Sequence, residues 1–210
     1  MILMQKGQSD IISAVLIIII AAGLVATAYT WGIPLIQKQQ DTALVNRVEN
    51  YFSDDNVNAI PKKIVSIATN GGEESFSEDV KGFWLLVPNS TFSADNNSLT
   101  FTFFSRVSNV ANGTWVSLND VSCPAIAGFV GDSPYAICAR SDPILNGFNV
   151  TYRVQFRPLY SNTQGYEIFL LQSGLSTSTL QSIRIQKGAS YSTVINGQNL
   201  IILEVRILLG

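Results

Sequence analysis

Hydrophobic and polar positions along this chain follow two different regimes. Residues 11–36, IISAVLIIIIAAGLVATAYTWGIPLI, contain no charged side chain. Ile11, Ile12, Val15, Leu16, Ile18, Ile19, Leu24 and Val25 fall on all sides of a helix rather than along one stripe. Such a helix has to be surrounded by lipid or by other helices like itself. At helical rise it spans roughly 39 Å, enough to cross a bilayer. Pro34 predicts a bend or a weakening near the end of the run, and Tyr29 and Trp31 fall where an interfacial aromatic belt would lie. Beyond Lys38 the pattern changes. Leu44, Val45, Val48 and Phe52 recur at helical spacing among Gln39, Gln40, Asp41, Arg47 and Glu49. This predicts an amphipathic extension whose apolar stripe packs under a following domain. Ser53-Asp54-Asp55-Asn56 and then Pro61 end it.

From residue 62 onward the spacing reads as short strands separated by Asn, Gly, Ser and Pro clusters. Strands are predicted at 63–69, 83–87, 99–105, 148–156, 167–171, 182–185 and 200–208. Phe148, Val150, Tyr152, Val154 and Phe156 alternate with smaller or polar neighbours, as in a half-buried strand. The closing NLIILEVRILLG is apolar enough for a central strand or for one packed against the helix extension. The expected fold class is α+β: a long N-terminal hydrophobic helix followed by an antiparallel, Ig-like β-sandwich. The expected organisation is a leader over 1–7, the helix over 8–55 and a β-rich outer domain over 56–210.

Composition narrows the chemistry. Hydrophobic residues make up 47% of the chain and charged residues 13%, about half the usual charged share. A net charge of -2 provides no basic stripe for phosphates, which argues against a nucleic-acid partner. Histidine is absent, which removes the commonest general base and metal ligand. No nucleophile, base and orienter occur in a recognisable pattern, so no enzyme, cofactor or metal is expected. Asp54-Asp55-Asn56-Val57-Asn58 has an acidic spacing, but Ala59 and Val65 stand where a calcium loop needs Gly and Glu. Glu73, Glu74, Glu78 and Asp79 read as a solvated loop, and Asn70-Gly71-Gly72 as a turn. Trp84, Trp115, Phe101, Phe103 and Phe104 read as core aromatics. The two cysteines, Cys123 and Cys138, lie in a Pro- and Gly-containing stretch. In an oxidising exterior they can close one disulfide worth about 3 kcal/mol; the alternative is a pair of unpaired buried thiols.

The order of features ahead of the apolar run matters most. A secretory signal places its cleavage site after the apolar stretch. Here Lys6-Gly7 directly precedes Gln8-Ser9-Asp10, with the aliphatic run following. This K-G-Q-S-D arrangement resembles the class III signal of archaeal type IV pilins and archaellins, over roughly the first forty residues. It departs from the bacterial pattern in having Ile12 where a Glu stands. The resemblance implies cleavage between Gly7 and Gln8 by a membrane-embedded prepilin peptidase, with the apolar helix retained. It further implies a homo-oligomeric helical filament built on that helix, a membrane assembly platform with its ATPase, and residence in the cytoplasmic membrane before export to the cell surface. Physically, Lys6 holds the N-terminus on the cytoplasmic side, and its removal leaves a greasy helix that can exchange lipid for neighbours.

Four N-x-S/T sequons, at Asn89, Asn96, Asn112 and Asn149, offer glycan acceptors on an extracellular domain. Asn149 is the poorest of them, because its strand reads as buried. The expectation is therefore a structural subunit of an extracellular, glycosylated adhesion pilus. The alternatives are an archaellin, or a membrane-anchored accessory or minor pilin that binds surfaces or sugars.

Overall fold

A computed structural model describes residues 4–77, 79–89, 96–195 and 197–210 of the chain. The first element, α1, spans Met4–Phe52 without interruption. Pro34 lies inside it and does not end it. A proline removes one backbone donor, and the helix continues through that loss. The chain separates into two compact units, Met1–Thr42 and Ala43–Gly210, so α1 contributes residues to both.

In the second unit the last turns of α1 are followed by a second helix, α2, spanning Ile60–Asn70. The strand expected over 63–69 is therefore a helix. Ile60, Ile64, Ile67 and Ala68 are buried at helical spacing, and Pro61 occupies the first turn, where its missing N–H costs nothing. The β-branched content of KKIVSIAT favoured a strand, but the period of its buried positions is helical. Gly71 closes α2 with φ 86° and donates its N–H to the Ile67 carbonyl, a conformation that favours glycine.

Among the described residues twelve strands follow: β1 (Glu73–Ser77), β2 (Gly82–Val87), β3 (Ser98–Ser105), β4 (Val116–Ser117), β5 (Gly128–Phe129) and β6 (Tyr135–Ile144), then β7 (Gly147–Phe156), β8 (Leu159–Tyr160), β9 (Gln164–Gln172), β10 (Thr177–Ser178), β11 (Ser182–Ile195) and β12 (Gln198–Leu209). They form two six-stranded sheets. One runs β1-β11-β12-β9-β8-β5, the other β10-β2-β3-β7-β6-β4. The class is α+β as expected, a long apolar helix followed by a two-sheet and mostly antiparallel domain. The parallel pairings β9 with β12 and β5 with β8 are the departures. The closing segment is central in its sheet, with β11 on one side and β9 on the other.

Glu73 and Glu74 belong to β1 rather than to a solvated loop. They pair in register with Gln186 and Ile185, and their carboxylates meet Arg184 at 2.9 Å and Lys63 at 2.6 Å. Asp79 pairs with Arg47. Glu78, from the same acidic cluster, lies outside the described residues.

Both sheets and both helical segments of this unit share one core. Val45, Val48 and Phe52 of α1 and Ile60, Ile64 and Ile67 of α2 join Trp84, Phe101, Tyr152, Ile168, Val205 and Ile207 from the strands. Phe52 is the hinge of this packing, stacked on Trp84 at 6.3 Å and on Tyr152 at 5.6 Å between ring centroids. Burying three aromatic side chains in contact is worth several kcal/mol of apolar transfer, plus about 0.5–1.5 kcal/mol per ring pair. The amphipathic extension read from sequence is thus an integral part of the domain core.

Candidate assembly surface

The first unit is helix alone. Every large hydrophobic residue of its apolar run is solvent-exposed in the isolated chain: Ile11, Ile12, Val15, Leu16, Ile18, Ile19, Leu24 and Val25 each keep half or more of their surface, and Trp31 keeps 79%. Exposure on this scale far exceeds the few hundred Å² of contiguous apolar patch usual on a soluble monomer. The helix is long and apolar enough to cross a membrane. Its two threonine hydroxyls near the middle and end of the run are turned inward on its own backbone. Thr27 donates to the Gly23 carbonyl at 2.8 Å, and Thr30 donates to the Ala26 and Thr27 carbonyls at 3.1 and 3.0 Å. Such back-bonding satisfies these two hydroxyls without an outside partner, as in a medium that offers no hydrogen bonds, while the polar tips of Tyr29 and Trp31 fall near the end of the run where an interface would meet them. Gly23 and Gly32 have open space where a Cβ would project, leaving two shallow places on the rod where a neighbour can approach the backbone closely.

Lys6, Gly7 and Gln8 fall in the first turns of α1, and their backbone is helical. Their side chains lie outside the described residues, so nothing in the structure bears on their recognition by a peptidase.

Cys123 and Cys138 are joined in a disulfide, with Cα atoms 6.1 Å apart. The bond pins a strap of chain between β3 and β6 onto the outer face of the second sheet. Ile137 and Ala139 of β6 face the core, so Ala136 and Cys138 face outward, and they are buried under Val121, Trp115, Cys123 and Ala125 of the strap. Arg153 of β7 lies beneath the Trp115 ring, its guanidinium carbon 4.1 Å from the ring centroid, and Arg140 approaches the same ring at 5.5 Å. Gln155 accepts the Ala125 N–H at 3.0 Å and donates to the Asn96 carbonyl at 3.1 Å. Arg157 donates to the Ser133 and Ile126 carbonyls at 2.9 and 3.1 Å. A Cβ at Gly128 would sit 2.8 Å from the guanidinium carbon, so a larger residue there has to displace this group.

None of Arg140, Arg153, Gln155 or Arg157 was singled out by sequence, and they are what the strap is fastened to. An Arg at an outward strand position reads as solvent-facing, and only the return of residues 112–134 over the sheet buries it. Trp115 is accordingly half-buried in this satellite cluster and not in the main core, while Phe104 is 47% exposed. Trp84, Phe101 and Phe103 are core residues as expected.

The four sequons differ in access. Asn112, Gly113 and Thr114 are all exposed. Asn96 is half-buried and continues into fully buried Asn97 and Ser98. Asn149 is half-buried in β7, between β3 and β6. Asn89 is half-buried after β2, and the residues completing its sequon lie outside the described ones.

Asn97, at φ 55°, clasps the two sheets. Its side chain donates to the Ile168 carbonyl at 2.8 Å and to a Glu167 carboxylate oxygen at 3.3 Å, and accepts the Leu170 N–H at 2.8 Å; its own carbonyl accepts the Phe156 N–H at 2.9 Å. Burial pushes the Glu167 carboxyl up to about 7, against the lowering effect of the Asn97 hydrogen bond. Burial, reinforced by a 2.6 Å hydrogen bond to Asp54 and by the charge of that carboxylate, raises the Tyr135 phenol well above its ordinary value. Asp54 therefore serves the joint between α1 and α2 and the sheet, together with Asn56, whose side chain bonds the Asn50 carbonyl and the Asn58 N–H.

Among the described residues no three His, Cys, Asp or Glu side chains are grouped as a metal site. Comparison with protein families, with curated proteins and with solved structures finds no match for this chain.

Proposed function

We propose that this chain is a structural subunit of an extracellular archaeal type IV pilus, which polymerises through its N-terminal helix and displays the β-rich domain outward. The observation that supports the reading is the apolar rod of residues 11–36, uncharged and exposed on every side. A single-span anchor would have the same length. The Lys6-Gly7-Gln8-Ser9-Asp10 order ahead of the rod is what favours the pilin reading over the anchor. Processing after Gly7 removes the charge that holds the helix in the bilayer, and lateral packing of many copies then replaces lipid contact at about 25 cal/mol per Å². Asp10 stays near the new amino terminus, where its charge suits the start of a helix. In this proposal the sparsely charged outer domain carries glycans, Asn112 first, because its whole sequon is accessible.

Two measurements test the proposal together. N-terminal sequencing of assembled material is expected to begin at Gln8, and Gly7→Val should leave unprocessed protein in the membrane. Electron microscopy of purified protein is expected to show uniform filaments with the helices at the centre. Dispersed particles that retain Met1 would overturn the pilin reading in favour of a membrane-anchored accessory protein.

A further inference from the structure

Among the described residues the edge strands of this domain are mostly short or covered, and the second half of β11 is neither. β4, β5 and β10 are two-residue strands, and β1 covers β11 only from Ser182 to Gln186. The Lys187 N–H is taken by the Gly72 carbonyl. From there to its end β11 pairs with β12 alone, and among the described residues nothing pairs with its outer edge. Gly188, Ala189, Ser190, Tyr191, Ser192, Thr193 and Val194 contain no charge, although the covered part of the same strand carries Arg184 and Lys187. Val194 is 69% exposed and Tyr191 45%. Charged residues are the usual protection of an open edge, and this edge lacks them.

The direction of its free groups follows from the register. β11 and β12 are antiparallel, with Ile195 opposite Gln198 at the closed end, Thr193 opposite Leu200 and Tyr191 opposite Ile202. Hydrogen-bonded and non-hydrogen-bonded pairs alternate from the closing pair, so Ser190, Ser192 and Val194 turn their N–H and C=O groups away from β12. An antiparallel copy of the same strand centred on Ser192 maps this set onto itself: Ser190 opposite Val194, Ser192 opposite Ser192. The same register sets Tyr191 opposite Thr193 twice, an aromatic and β-branched pair of the kind that favours a ladder. It also places Lys187 opposite Gly197, so no like charges meet.

We infer that residues 190–194 form a self-complementary docking edge, which pairs antiparallel with the same edge of a second copy of this chain. The pairing has two-fold symmetry. Neighbours within one polar helical filament are related by a screw and cannot present the same edge to each other. On the filament reading of the preceding subsection, on which this consequence alone rests, the contact therefore joins subunits of two filaments and bundles them.

The full-length chain with Ser192→Cys tests the register. Opposed residues in a hydrogen-bonded antiparallel pair have Cα atoms about 5.5 Å apart, within disulfide reach. Cross-linked dimer on a non-reducing gel is expected at ten times or more the level given by Leu145→Cys, a control at a position 88% exposed on the β6–β7 connection. Equal cross-linking of the two variants would overturn the proposal. Ser192→Pro removes an outward N–H without touching the β12 ladder and is expected to abolish side-by-side association. Ser192→Lys, which keeps the amide and opposes two ammonium groups, covers the case in which the proline variant fails to fold. Persistent bundles in folded Ser192→Lys protein would also overturn it. Dispersed particles that cross-link through position 192 would uphold the edge and remove the filament reading, whereas single filaments that do not cross-link would do the reverse.

Discussion

Residues 11–36 and residues 43–52 belong to one uninterrupted helix, yet they solve opposite problems. The first stretch is apolar on every face, and its large hydrophobic residues are exposed. The second is apolar on one face only, and Val45, Val48 and Phe52 are buried against two sheets. The difference lies in the angular spread of hydrophobic residues, not in helix propensity. A stripe can be satisfied by a folded domain beside it, while an all-round apolar surface needs a surrounding medium. One helix thereby separates a part that depends on other molecules from a part that depends on its own fold.

The sharpest way to break the comparison is to place the same charge in each half. Ile18→Asp is expected to abolish filament formation while leaving the outer domain folded by near-ultraviolet circular dichroism. An unpaired carboxylate among packed helices costs at least several kcal/mol and falls on assembly alone. Val48→Asp is expected to do the reverse first: the outer domain loses its near-ultraviolet signal, because Val48 is 0% exposed. Normal filaments from Ile18→Asp would contradict the assignment of the first stretch.

A smaller effect is expected from Phe52→Ala, which removes the ring stacked on Trp84 and Tyr152. Loss of a buried phenylalanine costs about 3–5 kcal/mol, a drop of roughly 10 °C in Tm for a domain of this size. Smaller again is the loss of the strap's covalent tie. Cys123→Ser is expected to lower domain stability by about 3 kcal/mol. Proteolysis should then concentrate between residues 120 and 134, with processing and polymerisation unchanged. Free thiols at Cys123 and Cys138 in the native protein would remove the basis of this expectation.

The smallest expected effect is a pH dependence confined to the outer domain. Glu167 has its carboxyl raised from 4.5 to about 7 in the folded protein, so folding favours its protonated form. Its contribution is complete below pH 4.5 and is lost as the pH rises through 7. Thermal melts of the parent protein should therefore lose stability between pH 5 and pH 8 relative to Glu167→Gln, by a few °C once solvent screening of this half-buried carboxyl is allowed for. A parent profile parallel to that of the variant would show Glu167 to be ionised without penalty.

The long apolar helix, its amphipathic continuation and the β-rich remainder were legible in the order of residues, because each is a periodicity that local geometry enforces. Strands β2, β3, β7, β9 and β12 were visible for the same reason. The second helix was not, since Ile64, Val65 and Ile67 suit a strand by side-chain type and a helix by spacing. β6 was missed because Asp142 and Pro143 at its exposed end obscure the buried run of Tyr135 to Ala139. The second half of β11 was missed because Ser, Tyr and Thr at an open edge have no buried face to mark them.

Of the candidate assembly surface, the sequence by itself determined the apolar rod and the K-G-Q-S-D order, both of which are local. Only the tertiary structure decided that Arg153, Gln155 and Arg157 hold the strap, that Asn97 clasps Glu167 between sheets, and that residues 190–194 end as an uncovered edge. Each of these depends on which distant segment lies alongside, and hydrogen bonds and burial between segments far apart in sequence leave no periodic trace along either one.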